Sequence, residues 1–142
     1  MKIVLTLLLL IASVSLAAKS PETTFGQISV EVKNKVVQLE LADTFQLRSQ
    51  GLMHRQSLCD ECGMLFIYNQ SQQGSMWMKN TNIPLDVAFI RKDGVITDIS
   101  AMQPHDENIT ASSEKMSYAW EMNQGWFKRN GISVGDTVSI KP

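Results

Sequence analysis

Cysteine, histidine and net charge are all scarce in this sequence. The 142 residues include 2 cysteines and 2 histidines, and 13 basic side chains nearly balance 14 acidic ones, for a formal net charge of −1. Two cysteines form at most one bridge, which excludes a scaffold held by several disulfides. The balanced charge excludes a basic surface for general nucleic-acid binding. With 44% hydrophobic residues, the chain can build the core of one compact domain and is not disordered.

An apolar segment begins the chain. Residues 3–18 are almost entirely apolar, and Ser15 and Ala17 are the small residues that a signal peptidase recognises. This run of 16 residues is shorter than the roughly 20 of a membrane-spanning helix. We therefore expect residues 1–17 to be a cleaved signal peptide, residues 18–26 a flexible leader, and no membrane span after cleavage. The mature protein would be periplasmic or secreted, where cysteines are oxidised.

Alternation of apolar and polar residues predicts short strands in the rest of the chain. Residues 28–32, 37–41 and 118–122 have the two-residue period of a half-buried strand. Residues 64–68 are apolar throughout, which predicts a strand that is buried on both faces. The other predicted strands are residues 75–79, 86–91, 95–102 and 137–140.

Two short helices complete the predicted elements. Asp43 or Thr44 can cap a helix over residues 45–50, and Gly51 follows it where a left-handed residue is favoured. Residues 125–130 can form one or two further helical turns.

The order of these elements indicates the fold class. Asp93-Gly94 between two predicted strands is typical of a tight hairpin turn, and strands do not alternate with long helices. The pattern favours a single mainly β domain over residues 27–142, an antiparallel sandwich or flattened barrel with one or two short helices.

Cys59 and Cys62 are separated by two acidic residues. Acidic neighbours raise the pKa of a thiol, and a strand rather than a helix is predicted to follow, so both features that activate a redox pair are missing. A zinc site would need two more ligands, for which only His54 and His105 are available. We expect a local disulfide first, a metal site second and redox catalysis third. Methionines near Trp77 could bind copper, but methionine is more often core packing.

Lys79 and Asp86 flank a loop, residues 80–84, that is rich in amide and hydroxyl groups. Such a loop can present fixed donors and acceptors to a ligand, or a Lys79–Asp86 ion pair can simply close it. Asp86 and Glu121 could also form the carboxyl pair of a carbohydrate-processing enzyme. No motif for nucleophilic catalysis or for a metalloprotease is present, so no catalytic residue is assigned.

A family resemblance rests on four ordered blocks: Gly51-Leu52-Met53 with Arg55, then Gly63-Met64-Leu65-Phe66, then Trp77-Met78-Lys79-Asn80-Thr81, and then Ile83-Pro84-Leu85-Asp86. In this order and spacing, over about residues 27 to 140, they resemble the signature of the domain of unknown function 192 family. The resemblance implies a small β-sandwich or jelly-roll-like domain, often behind a signal peptide, and it implies no reaction. The two cysteines depart from the pattern.

The polar part of this signature suggests a binding site. The matching positions are Arg55, Lys79, Asn80, Thr81, Asp86 and Glu121, and we expect several of them to converge on one concave site floored by Trp77 and Met64. A pocket of mixed charge over an aromatic floor suits a small polar ligand such as a sugar or a carboxylate.

The resulting hypothesis is a monomeric binding or accessory module for such a ligand or for an envelope partner, with no cofactor and no metal. The first alternative is the carbohydrate-processing enzyme with Asp86 and Glu121. The second is a soft-metal (copper or zinc) or thiol redox protein that uses Cys59, Cys62, His54 and methionines.

Overall fold

The computed structural model describes residues 23–141. The predicted signal peptide and most of the predicted leader lie outside the described residues. The elements are β1 (Gly26–Val32), β2 (Lys35–Ala42), α1 (Phe45–Gln50), β3 (Gly63–Met76), β4 (Leu85–Ile90), β5 (Ile96–Met102), β6 (Thr110–Asn123), α2 (Trp126–Arg129) and β7 (Ser139–Lys141). The mainly β architecture with two short helices is confirmed. Within the described part, neither helix is long and apolar enough to cross a membrane.

Within residues 23–141 all seven strands belong to one sheet, in the order β5-β4-β6-β3-β2-β1-β7. Their pairs are antiparallel except for β2 and β3, which are parallel. This pair departs from the antiparallel prediction because α1 and the loop after it carry the chain back before β3 begins. An isolated bridge between Val95 and Thr137 links the segments that precede the two edge strands. The sheet therefore curls towards a barrel without closing by continuous pairing.

Local sequence explains the first hairpin and α1. Lys33 and Asn34 have φ angles of 49° and 64° and form the two-residue turn between β1 and β2. Thr44 caps α1, since its hydroxyl accepts a hydrogen bond from the Leu47 amide at 3.2 Å. Gly51 ends the helix with a φ of 47°. The helix over residues 45–50 and both of its end signals are confirmed.

The long pair formed by β3 and β6 differs from the sequence prediction. The sequence predicts two strands, residues 64–68 and 75–79, where the structure has β3, and it predicts no strand between residues 102 and 118. In the structure the polar segment between these two predicted strands pairs with β6, with register shifts between Ile67 and Gln72 and between Gln73 and Ser75. Main-chain hydrogen bonds do not depend on side-chain polarity, so an exposed extension of a strand leaves no apolar alternation to detect.

Two apolar clusters lie on the two faces of the sheet. The first cluster includes Leu65 and Trp120, and the second includes Met64 and Ala119. Successive side chains of a strand point to opposite faces, so β3 and β6 contribute to both clusters. The strand predicted at residues 64–68 is accordingly buried on both faces at its first three positions. The second cluster faces α1 and the loops, and the pocket described below lies on that side.

Candidate functional site

A small pocket opens between the end of α1 and β3. Its volume is about 90 Å³, and its walls include Arg48, Phe66, Tyr68, Met76, Trp77, Thr81 and Glu121. We call it the Glu121 pocket. Its position follows from the fold, since the short helix lies beside the face of β3 and β6 that carries the second cluster.

Glu121 forms the polar wall of this pocket. The residue lies on β6 between Met64 of β3 and Val87 of β4, and only 4% of its surface is exposed. Among residues 23–141 its carboxyl group has no hydrogen-bond or ion-pair partner. Burial in these apolar surroundings raises the pKa of Glu121 to about 8, so the group is mainly protonated at pH 7.

Tyr68 and Arg48 stand beside Glu121. Burial raises the pKa of Tyr68; the charge of Arg48 opposes this shift and that of Glu121 adds to it. The Arg48 guanidinium lies 5.0 Å from the centre of the Tyr68 ring. Its Nη1 donates to the main-chain oxygens of Asp43, at 2.7 Å, and Ile67, at 2.8 Å. These bonds hold the cation in place, while Nε and Nη2 have no partner within the described residues.

Three of the predicted binding residues meet at this pocket. Glu121 and Thr81 are buried in its wall, and Trp77, with 44% of its surface exposed, lies at its rim. The Thr81 hydroxyl donates to the Lys79 carbonyl at 3.1 Å, which fixes the loop there. The apolar wall is Phe66 with Met76 rather than Met64, which is fully buried behind it.

Lys79 and Asn80 lie near the rim but not in the pocket wall. Both are exposed, and the Lys79 ammonium lies 5.2 Å from the centre of the Trp77 ring. Asn80 has a φ of 53°, and its carbonyl accepts from the His54 amide at 2.8 Å. The expected convergence fails for these two residues because β3 ends at Met76 and the chain turns there.

Arg55 is also placed away from the Glu121 pocket. It pairs with both carboxylate oxygens of Glu40, at 2.6 and 2.9 Å, and lies 5.6 Å from the ring of Phe25. Together with Cys59 it lines a separate cleft. The expected role of Arg55 in the shared site is therefore corrected to an anchor of the loop after α1.

The end of the predicted leader differs from the structure. Phe25 packs against Arg55 and Gly26 starts β1, so the ordered domain begins before residue 27.

Asp86 points to the other side of the sheet. Val87 is opposite Glu121 in the pairing of β4 with β6, and Asp86 is opposite Met122. The Asp86 carboxylate accepts from the Gly125 amide at 2.7 Å. No Lys79–Asp86 ion pair occurs among residues 23–141. Asp86 and Glu121 cannot flank one substrate bond from opposite faces of a sheet, so the carboxyl-pair hypothesis is corrected.

The soft-metal residues do not gather either. Cys59 and Cys62 form a disulfide. No group of three or more His, Cys, Asp or Glu side chains in the described part of the chain could hold a metal ion. Met76 and Met78 are buried in the second apolar cluster.

Arg48 and Tyr68 are pocket residues that sequence reasoning missed. Tyr68 carries a signal that could have revealed it, since it follows Met64 and Phe66 at every second position and so faces the same side. Arg48 is one basic residue in the last turn of a short helix, where a basic side chain is ordinary. Nothing in the sequence distinguishes it.

The fold and site define a small β-domain protein whose open pocket contains a buried carboxyl group with no partner in the part of the chain that the structure describes. The model of the family described as Uncharacterized ACR, the domain of unknown function 192, matches residues 28–140, and the chain belongs to this family. None of the curated proteins compared with the chain matches it.

Two solved structures are similar to this chain. One is a protein from Sinorhizobium meliloti 1021, described as a candidate transcription regulator. It is 37% identical, with a TM-score of 0.80 over 84% of this chain and 97% of that one. The other is a protein of unknown function from Novosphingobium aromaticivorans DSM 12444. It is 34% identical, with a TM-score of 0.78 over 86% of this chain and 91% of that one.

Proposed function

We propose that this protein is a binding module for a small polar molecule that occupies the Glu121 pocket. The observation that carries the proposal is the Glu121 carboxyl group, which lies in the pocket wall, with 4% of the residue exposed, and has no hydrogen-bond or ion-pair partner among residues 23–141. An unpaired buried polar group costs about 1 to 3 kcal/mol. A ligand that supplies the missing partner recovers this free energy, so the pocket favours a molecule with a hydrogen-bonding group at that point.

The other pocket residues support a small ligand. A cavity of about 90 Å³ has room for several water molecules or a small organic molecule. Trp77 presents a partly exposed aromatic surface at the rim, and Thr81 adds a hydroxyl group to the wall. Pockets with apolar walls and few polar groups typically orient their ligand through those polar groups.

The setting that we propose for this binding is the cell envelope or the exterior. The apolar segment at residues 3–18 and the small residues before position 18 support export. A role in nucleic-acid binding is not proposed, because a formal net charge of −1 provides little attraction for phosphates.

A ligand screen by NMR tests the proposal. The ¹⁵N-labelled protein, purified after expression of the full chain, is titrated with sugars, organic acids and amines. We expect at least one class to shift the signals of Trp77, Thr81 and Glu121 together, and Glu121→Gln to weaken its binding about tenfold or more.

Asp86→Asn is the matched control, since it neutralises a second buried carboxyl group on the opposite face. Its affinity should equal that of the unaltered protein. A ligand whose binding both variants weaken equally, or a screen in which no class shifts the pocket signals, would contradict the proposal.

A further inference from the structure

The Glu121 pocket has chemically different ends. Glu121 supplies a carboxyl group on β6, and Arg48 supplies a guanidinium on α1. Tyr68 lines the same pocket, and its ring lies 5.0 Å from the Arg48 guanidinium. The wall between the two polar ends contains Phe66 and Met76, which are apolar.

The Arg48 end can accept an anion. Two main-chain carbonyls occupy Nη1, so the orientation of the guanidinium is set before a ligand arrives. Nε and Nη2 have no partner among the described residues, and these two donors have the spacing that a carboxylate accepts. The α1 side of the pocket is therefore lined by an arginine that is held by two main-chain carbonyls and that keeps two donors without a partner among the described residues.

No cation of the described residues pairs with the Glu121 carboxyl group. Arg48 donates to the carbonyls of Asp43 and Ile67, and Arg55 is paired with Glu40. The charged and titratable side chains on this side of the sheet include Arg48, Tyr68, Glu40 and Arg55, and Asp98 lies opposite Phe89 on β5. None of them donates to the Glu121 carboxyl group, which leaves its ionised form without compensation.

We propose that the ligand of the Glu121 pocket is a small amino-carboxylate, with its ammonium group on Glu121, its carboxylate on Arg48, and a short aliphatic chain against Phe66 and Met76. This inference rests on the proposed function and specifies the class of its ligand. The ammonium supplies the charge that Glu121 lacks, and the carboxylate supplies the charge that the free donors of Arg48 lack.

Binding of this ligand is coupled to a proton. Glu121 is about 90% protonated at pH 7, given a pKa of about 8. An ammonium at hydrogen-bond distance favours the carboxylate form, so the carboxyl proton leaves to the solvent as the ion pair forms. Binding at pH 7 should therefore release up to about one proton per ligand. A neutral alcohol at the same place would release none.

Calorimetry with matched probes tests this proposal on the protein purified from the full chain. The series is glycine, 3-aminopropanoate, 4-aminobutanoate and 5-aminopentanoate, with butanoate, butylamine and glycerol as single-group probes. Titrations in phosphate and in Tris count the protons released. We expect one amino-carboxylate to bind about tenfold or more tightly than butanoate or butylamine and to release close to one proton.

Variants of Glu121 and Arg48 test which group of the ligand each of the two residues binds. Glu121→Gln should abolish proton release and the preference over butanoate, and Arg48→Met should abolish the preference over butylamine. Because Arg48 also anchors α1, Arg48→Lys is a second variant that keeps the charge and loses the two-donor geometry. Asp86→Asn and Arg129→Met are controls outside the pocket and should change neither measurement.

The outcomes separate this inference from the proposed function. If sugars or glycerol bind at the pocket without proton release, or if no amino-carboxylate exceeds the single-group probes, the inference is wrong and the binding module stands. If neither these probes nor the wider NMR screen shifts the pocket signals, both proposals fail.

Discussion

Asp86 and Glu121 are buried on adjacent strands one residue out of register, and their side chains project from opposite faces of the sheet. Asp86 accepts a hydrogen bond from the Gly125 amide, whereas Glu121 has no partner among residues 23–141. Burial without a partner raises the pKa of Glu121 to about 8. Two carboxyl groups that look equivalent in the sequence are therefore a structural acceptor and an open binding group.

Stability should fall as the pH rises from 5 to 8. In the unfolded chain Glu121 loses its proton near its ordinary pKa of 4.5, and in the folded protein it keeps the proton until about pH 8. The unfolded state then binds fewer protons across this window, so the free energy of unfolding decreases by about 3 to 4 kcal/mol. Urea unfolding at pH 5, 6.5 and 8 measures the change.

Glu121→Gln should remove most of this pH dependence and should be the more stable protein at pH 8. Asp86→Asn should retain the decrease in the free energy of unfolding with rising pH. Asp93, whose pKa is lowered by the hydrogen bond from Arg91, titrates below the window and does not contribute. A slope that persists in Glu121→Gln would show that another group is responsible.

Gly63→Ala should destabilise the protein by about 2 kcal/mol or more. A Cβ atom at this position would overlap the main-chain oxygen of Glu121 and the sulfur of Met122, and a main-chain atom in a central strand cannot move aside. Thermal and urea unfolding measure the loss. Gly26→Ala is the control, because its Cβ would have ordinary contacts at 3.9 Å with Leu41. Equal effects of the two changes would contradict this account.

Arg55→Met should cost about 1 kcal/mol in stability and should leave ligand binding unchanged. Arg55 makes two hydrogen bonds to Glu40, and both side chains are partly exposed, which limits the contribution of the pair. A double-mutant cycle with Glu40→Gln measures the coupling. Loss of ligand affinity in Arg55→Met with unchanged stability would instead place Arg55 in the binding site.

Replacing both Cys59 and Cys62 by serine should cost about 2 kcal/mol, the chain-entropy value for so short a loop. The fold should persist, because the Asn123 amide also holds this loop through the carbonyls of Leu58, at 3.0 Å, and Cys59, at 3.1 Å. Urea unfolding with and without dithiothreitol measures the effect. The reductant should destabilise the unaltered protein and leave the double variant unchanged; global unfolding of the variant would contradict this prediction.

Much of the local structure could be predicted because local signals cause it. Thr44 and Gly51 delimit α1 through a side-chain cap and a left-handed residue. Gly94, with a φ of 89°, makes the turn before β5. Residues 64–68 could be identified as a strand buried on both faces because a short, continuous apolar run is typical of such strands. The parallel pairing of β2 with β3 could not be predicted, because it depends on the path of the loop between them.

The candidate site was only partly predictable, because it also depends on contacts between segments that are distant in the chain. Trp77, Thr81 and Glu121 carry the resemblance or stand in patterned strands, and they do meet. Arg48 and Tyr68 belong to the pocket through the packing of α1 against β3, which no local pattern encodes. The sequence predicts Lys79 at the end of a strand over residues 75–79, but the chain leaves the sheet after Met76.

Local sequence patterns are sufficient to predict the strand periodicity, the ends of α1 and the family resemblance. Which polar residues share a face of the sheet depends on how the strands pair in the folded protein. A shift of one residue between β4 and β6 sends Asp86 to one side of the sheet and Glu121 to the other. Side chains alternate at every residue, whereas strand register is set by contacts between segments that are distant in the chain.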